Sequence, residues 1–377
     1  MSSRRPTRLR VFAVEPDRAQ LTWRRLDPGP VLITGAGDDV RFEADGGPGA
    51  VDLIGLRPAS SYTAEIRLGS ERRRLAPVSF RTIAAPPGEE LGRLATVSDL
   101  HLGRHTFGFF DTMRDDIGEG DSTGWRCAAA AVDAAAAWGA SRLVAKGDLV
   151  EHASHEEWRI LAELAEYAEH RGLTVDVVAG NHEAKTNREL DCGPAMVIHG
   201  FEPTDGVRVV DLDGLRLLLI DTSWDGHHRG RLDHATAFID DLGGGRRVLA
   251  AQHHYPQPAP VPHFWPPGVP WQEARRFLDA LDRSAPGALV TAGHSHRHRR
   301  RTHRSVTITE VGSPKDYPGT WAGYVVHEGG VRQVVRRVDR PDCIRWTEYT
   351  RQAALGLWGQ WSPGRLDDRC FSLTWPD

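Results

Sequence analysis

Five times between residues 94 and 300, a short apolar run ends and metal-ligand residue types follow at once. "VSDLH" presents Asp99 and His101, and "AKGDLVE" presents Asp148 with Glu151 three residues later. "VAGNHE" carries Asn181, His182 and Glu183, "AAQHHYP" carries His253 and His254, and "TAGHSH" carries His294 and His296. An apolar run of four to eight residues reads as a buried strand, and in α/β sheets ligands gather where the carboxyl ends of strands meet. On extended backbone, residues i and i+2 point the same way. The D-x-H and H-x-H pairs can therefore each reach one metal ion, or two adjacent ones. A single histidine of this kind is most simply a satisfied core or surface residue. Five such strand ends in succession require a sheet that brings them to one edge.

The rest of the chain supplies such a sheet. From Leu94 onward, strand-like runs ("LATVS", "RLVAK", "LTVDVVA", "VRVVDL", "LRLLLI", "RRVLAA", "ALVTA", "SVTITEV", "YVVHE") alternate with helical stretches such as "HEEWRILAELAEYAEHRG". In that stretch Trp158, Leu161, Leu164, Ala165 and Ala168 share one face. The alternation predicts an α/β domain over residues 92–340. Residues 1–85 differ: "RLRVFAVEP", "AQLTWRRL", "GAVDLIGL", "SYTAEIRL" and "APVSFRTI" are short alternating runs between turn residues. They predict a small all-β sandwich with Trp23 in its core. Tyr62, in the spacing Leu56-x-Pro58-x-x-x-Tyr62, is placed to hydrogen-bond back to the preceding corner. "AAPPGEELG" has the composition of a linker. Residues 341–377 hold Trp346, Trp358, Trp361 and Trp375, and are expected to dock on the α/β domain, because four large rings need burial.

Composition removes some function classes. The net charge is −4, whereas a nucleic-acid-binding domain is usually basic as a whole. The tract "TAGHSHRHRRRTHR" (291–304) is thus a local feature. His294 and His296 read as strand-end ligands, and His298, His303 and the arginines as a solvated basic loop on the surface. No run approaches the length that spans a bilayer, and no apolar core follows the N-terminal arginines, so neither a membrane span nor a secretory signal is expected. Cys127, Cys192, Cys343 and Cys370 are far apart and suit reduced thiols in a cytoplasmic protein, with a Cys343–Cys370 bridge as the alternative.

Taken in order, D-x-H, G-D-x-x, G-N-H-[DE], a histidine-bearing strand end and G-H-x-H resemble the calcineurin-like metallophosphoesterases, and the resemblance covers residues 94–340. "LLLIDTSWDGHHRGRLDHATAFIDDL" is similar to a segment of their cyclic-nucleotide-phosphodiesterase branch. The N-terminal region resembles a fibronectin type III domain. A domain of that kind ahead of the catalytic one is also found in purple acid phosphatases, but their metal-binding tyrosine would fall at Glu151, which speaks against a charge-transfer iron site. The resemblance implies an α/β fold, a β-sandwich flanked by helices, preceded here by the small fibronectin-like sandwich. It implies two divalent or mixed-valence transition-metal ions bridged by Asp148, with Asp99, His101 and His296 completing one site and Asn181, His253 and His294 the other. Such mixed oxygen and nitrogen ligands suit manganese, iron, zinc or cobalt. At "QHHYP" the family's H-x-P spacing falls on His254, while the strand end aligns on His253, which is taken as the ligand. A hydroxide bridging the two ions would be the nucleophile, and His182 a general acid or charge stabiliser paired with Glu151; the alternative for Glu151 is a solvated loop carboxylate.

The expected activity is hydrolysis of a small phosphoester, a phosphodiester before a monoester. Rivals are a phosphatase acting on nucleotides or phosphoproteins, a nuclease, and a non-catalytic adaptor. Loops 103–125, 224–231 and 260–271, with Phe107, Phe109, Phe110 and Trp125 in the first, are candidates for substrate specificity. Neither the natural substrate nor the oligomeric state can be read from the residues.

Overall fold

The computed structural model describes residues 8–69, 73–108, 111–115, 122–185, 189–241, 247–260 and 266–376. At the N-terminus, strands Arg10–Val14, Ala19–Trp23 and Gly49–Leu53 form one antiparallel sheet. Gly29–Thr34, Val40–Ala44, Ser61–Leu68 and Arg73–Arg74 form a second, and Val78–Arg81 pairs with Ser61–Leu68. Trp23 stacks on Phe42 with ring centroids 5.3 Å apart, and the Tyr62 hydroxyl accepts the Arg57 amide at 2.7 Å, closing the corner before its strand.

Beyond it, two six-stranded mixed sheets pack face to face. The first runs Thr174–Val178, Arg142–Lys146, Glu90–Val97, Thr320–His327, Gly330–Arg337, Cys370–Thr374. The second runs Val207–Leu212, Leu215–Ile220, Val248–Gln252, Leu289–Ala292, Val306–Glu310, Arg299–His303. Leu94, Val144, Val178, Leu217, Leu249 and Leu289 are among the residues filling the space between them. Helices Thr123–Ala137 and His155–Glu169 pack on the outer face of the first sheet; Asp233–Asp240 and Trp271–Ser284 pack on that of the second. The first three strands of the first sheet are mutually parallel, as are Val248–Gln252 and Leu289–Ala292 in the second. All five motif-bearing strands thus end on the same side of the molecule. Among the described residues, no helix is long and apolar enough to cross a membrane, and none of the four cysteines forms a disulfide, so the Cys343–Cys370 bridge is absent.

The arginine tract departs from the expected solvated loop. Arg299–His303 is an edge strand paired antiparallel with Val306–Glu310. Arg297 and His298 are buried. Buried Glu310 explains this: its carboxylate pairs with Arg301 at 2.8 Å and Arg297 at 3.4 Å, so the guanidinium groups are drawn inward. His298 Nδ1 accepts the Gly312 amide at 3.2 Å, and His303 lies 2.8 Å from Asp279.

The C-terminal segment is part of the architecture. Cys370–Thr374 is the outer strand of the first sheet, paired with Gly330–Arg337. Trp346 and Trp375 are buried, and Trp346 Nε1 donates to the Lys315 carbonyl at 2.7 Å. Trp361 departs from the expected burial, with 46% of its surface exposed.

The N-terminal sandwich is joined to this body by buried charge. Glu15, 1% exposed, accepts Arg336 at 2.8 Å and Trp138 Nε1 at 3.0 Å, with Arg332 at 3.3 Å. Gln20 exchanges two hydrogen bonds with the backbone of Arg337. Removing one member of a buried pair leaves uncompensated charge, at roughly 3–5 kcal/mol. Glu15→Gln should therefore lower unfolding free energy by roughly 3 kcal/mol in urea titration; a change under roughly 1 kcal/mol would mean the two units are coupled by other contacts.

Candidate metal centre

Five of the seven residues expected as ligands sit in left-handed backbone: Asp99 (φ 57°), His101 (45°), Asp148 (51°), His294 (68°) and His296 (51°). Such conformations are costly for residues with a Cβ and persist only where the surroundings hold them. Hydrogen bonds between the strand ends do so here. The Asp99 amide donates to Gly147 O and the His101 amide to Asp148 O, each at 2.9 Å, and the His294 amide donates to both Asp99 carboxylate oxygens at 2.9 and 3.1 Å. Close approach does the rest. A Cβ at Gly180 would lie 2.4 Å from the Asp148 amide nitrogen, and one at Gly147 would lie 2.5 Å from the His253 ring.

The loops converge on two adjoining clusters. In one, His101 Nε2 is 3.2 Å from His296 Nε2, which is 3.4 Å from Asp99 Oδ1. In the other, His253 Nε2 lies 3.0 Å from His294 Nδ1, 3.2 Å from Asn181 Oδ1 and 3.2 Å from Asp148 Oδ2. Asp148 is close to both: the donor atoms of Asp99, Asp148 and His253 lie within 4.8 Å of one another.

Each of the four histidines fastens its outer ring nitrogen and turns the other inward. His101 Nδ1 is 2.7 Å from Glu151, His296 Nδ1 2.7 Å from Asp316, His253 Nδ1 3.0 Å from Lys146 O and His294 Nε2 3.3 Å from Pro267 O. Metal-ligating histidines are held in this way, because the outer bond sets the tautomer and leaves the inner lone pair free. Four inward nitrogens facing two carboxylates and an amide oxygen form a donor set that fits divalent cations. Without a cation the histidines divide protons unequally. Burial opposes charge on His253 and His296, yet Asp148 lifts the first, and Asp316 with Asp99 lifts the second, each to about 9. Burial presses His101 to about 4, aided by His182, and His294 to about 3, aided by His253.

The structure separates His253 from His254. His253 points into the cluster, while His254 Nδ1 bonds Thr222 Oγ1 at 2.8 Å. His182 lies beside the clusters, its amide donating to Asp148 Oδ1 at 2.9 Å and its Nε2 3.8 Å from Asp148 Oδ2. Glu151 is 3.3 Å from His182 Nδ1, but its shorter contact is with His101. Although burial works against its charge, the hydrogen bonds from His101 and His182 hold Glu151 well below the usual carboxylate range. Arg104 and Lys185 each stand 3.6 Å from its other oxygen.

Three supporting residues escaped the sequence reading. Glu183, fully buried, accepts the amides of Asp148, Leu149, Val150 and Gly180 at 2.6–3.0 Å, tying the Asp148 loop to the Asn181 loop. Asp316 fixes His296, and Trp358 of the C-terminal segment donates to its second oxygen at 3.2 Å. Glu183 closes the G-N-H-[DE] motif, which by itself gave its carboxylate no role; Asp316 and Trp358 belong to no motif. Of the candidate specificity residues, Phe107 packs on Trp358 (5.8 Å) and Trp125 on Tyr167 (5.5 Å). Trp224, 42% exposed, stacks on His227 at 3.8 Å, and His228 Nδ1 is 3.5 Å from Asn181 Nδ2. Phe109, Phe110 and residues 261–265 lie outside the described residues.

No protein-family model matches the chain. Over 173 residues it is 25% identical to glycerophosphodiester phosphodiesterase GpdQ of Enterobacter lignolyticus, covering 45% of this chain and 60% of that one. Over 180 residues it is 35% identical to the cAMP/cGMP dual specificity phosphodiesterase MT0825 of Mycobacterium tuberculosis, covering 46% of this chain and 51% of that one. The chain thus spans less than two thirds of either relative. A dimetal phosphatase from Danio rerio superposes with a TM-score of 0.50 at 14% identity, over 76% of this chain and 100% of that one, a likeness of fold.

These likenesses agree with the resemblance to the calcineurin-like metallophosphoesterases that the five motifs carry. If His296 is a ligand, Asp316→Asn should weaken metal retention by about 10–100-fold, the usual cost of losing the partner that holds a ligating histidine. Competition against a chelator measures it; unchanged retention would show that His296 needs no carboxylate behind it.

Proposed function

We propose that this chain is a metal-dependent phosphoesterase that acts on phosphodiesters. The reading rests on the convergence of Asp99, His101, Asp148, Asn181, His253, His294 and His296, with every histidine's outer nitrogen anchored. Asp99, His101, Asp148 and His296 would hold one divalent ion, and Asp148, Asn181, His253 and His294 the other. Manganese, iron, zinc and cobalt all suit these oxygen and nitrogen donors. Such a pair supplies Lewis-acid polarisation of a phosphoryl group and acidifies a water nucleophile.

The protein's own groups do the remaining work. His182 is poised as the general acid. Burial opposes its charge while Asp148 and Glu151 raise its pKa, and its place beside both clusters suits delivery of a proton to the leaving oxygen. Glu151 orients it while also fixing His101. The phosphodiester preference is supported by the two relatives, one named for glycerophosphodiesters and one for cyclic nucleotides. The monoester alternative has one observation in its favour: Arg104 and Lys185 beside Glu151 would suit a second phosphate charge.

Purified protein should carry close to two transition-metal ions, and chelation should abolish hydrolysis until metal is restored. Active enzyme with one ion or none by elemental analysis would sink the binuclear reading. On a panel of diesters and monoesters, the diester turnover should dominate; the reverse ratio would favour the Arg104 and Lys185 alternative. His182→Ala should retain metal while kcat falls by about 10²–10⁴-fold, whereas Asp148→Asn should lose metal and turnover together. If His182→Ala empties the site, His182 is a ligand and not an acid.

A further inference from the structure

On the flank of the second cluster stands one histidine that no role above uses. His254 is fully buried, and its ring centroid lies 4.7 Å from that of His253 and 4.5 Å from that of His294. One of its ring nitrogens falls within 4.8 Å of donor nitrogens on both neighbours. Its Nδ1 is fastened by the Thr222 hydroxyl at 2.8 Å, and the same hydroxyl receives the His254 amide at 3.1 Å. Its Nε2 is buried without a hydrogen-bond partner.

That arrangement repeats, on a fifth ring, the pattern of the four histidines described above: outer nitrogen anchored, inner nitrogen free. A buried ring nitrogen left without a partner is costly, and a bound cation would satisfy it. The backbone also fixes the ring's place. Gln252 Nε2 donates to the His254 carbonyl at 2.7 Å, and a Cβ at Gly230 would lie 2.5 Å from the His254 Cβ, so the loop from 222 to 231 closes over it.

Resting on the binuclear reading, we propose that His254 is a further protein ligand of the second ion, donating through Nε2 alongside Asp148, Asn181, His253 and His294. The second site is then the more nitrogen-rich of the two, with three imidazoles against two at the first. This asymmetry would make the sites inequivalent, with the second favouring the ion that binds imidazole more strongly, zinc over manganese.

The test is titration of the chelator-stripped full chain with Zn²⁺ and with Co²⁺. Wild type should take up two equivalents. His254→Gln should keep one equivalent at wild-type affinity, bind the other at least about tenfold more weakly, and change the visible absorption of the second Co²⁺. Two equivalents bound by the variant with unchanged affinity and an unchanged Co²⁺ spectrum would overturn the assignment and leave the binuclear reading intact. Fewer than two equivalents in wild type would instead defeat the binuclear reading. Because His254 is buried, ¹⁵N imidazole resonances of the zinc-loaded wild type give a second measure that needs no variant. His254 Nε2 should shift to a metal-bound position with the second equivalent; an Nε2 that stays at the position of an uncoordinated nitrogen overturns the proposal.

Discussion

Four backbone amides close on the carboxylate of Glu183, and the site depends on that contact. Three come from the turn carrying Asp148, and one from Gly180, just before Asn181. The carboxylate therefore welds two neighbouring strand ends into one rigid edge. On that edge, Asp148 can be kept in left-handed backbone with its carboxylate aimed at both clusters. Preorganisation of this kind matters for metal sites because misplaced donors lose affinity quickly. The edge is also why glycine precedes both Asp148 and Asn181: neither turn has room for a Cβ.

Around this edge the supporting groups come from parts of the chain with no motif of their own. Lys146 and Pro267 offer carbonyls to His253 and His294, and Asp316 offers a carboxylate to His296. Trp358 donates to Asp316 and packs against His296, so a region that also completes the first sheet with a strand reaches the clusters. The N-terminal sandwich, by contrast, contacts the first sheet and its helix through Glu15 and Gln20 and sends no side chain toward the clusters among the contacts described. Its coupling is to stability, through buried charge that only the assembled interface compensates.

The difference between His253 and His254 shows how local context divides two adjacent, chemically identical residues. Successive side chains at a strand end diverge, so one ring enters the cluster at contact distance and the other reaches its flank. The Arg299–His303 strand teaches a related point. The composition there suggests a solvated loop, but a buried carboxylate on the neighbouring strand draws Arg301 and the preceding Arg297 inward.

What the sequence by itself determined was the inventory of candidate ligand residues and the alternation that brings it together. Apolar runs ending in D-x-H, G-D, G-N-H and G-H-x-H are local signals, set by the two-residue period of a strand and by the turn that follows it. The core strands and the four main helices were legible for the same reason. Tertiary structure decided which nitrogen of each histidine faces inward, which of His253 and His254 enters the cluster, and that Glu183, Asp316 and Trp358 support the site. These depend on contacts between residues up to about 200 positions apart, such as the His294 amide with Asp99. No short-range pattern encodes them, because they exist only once two sheets have packed and their strand ends meet.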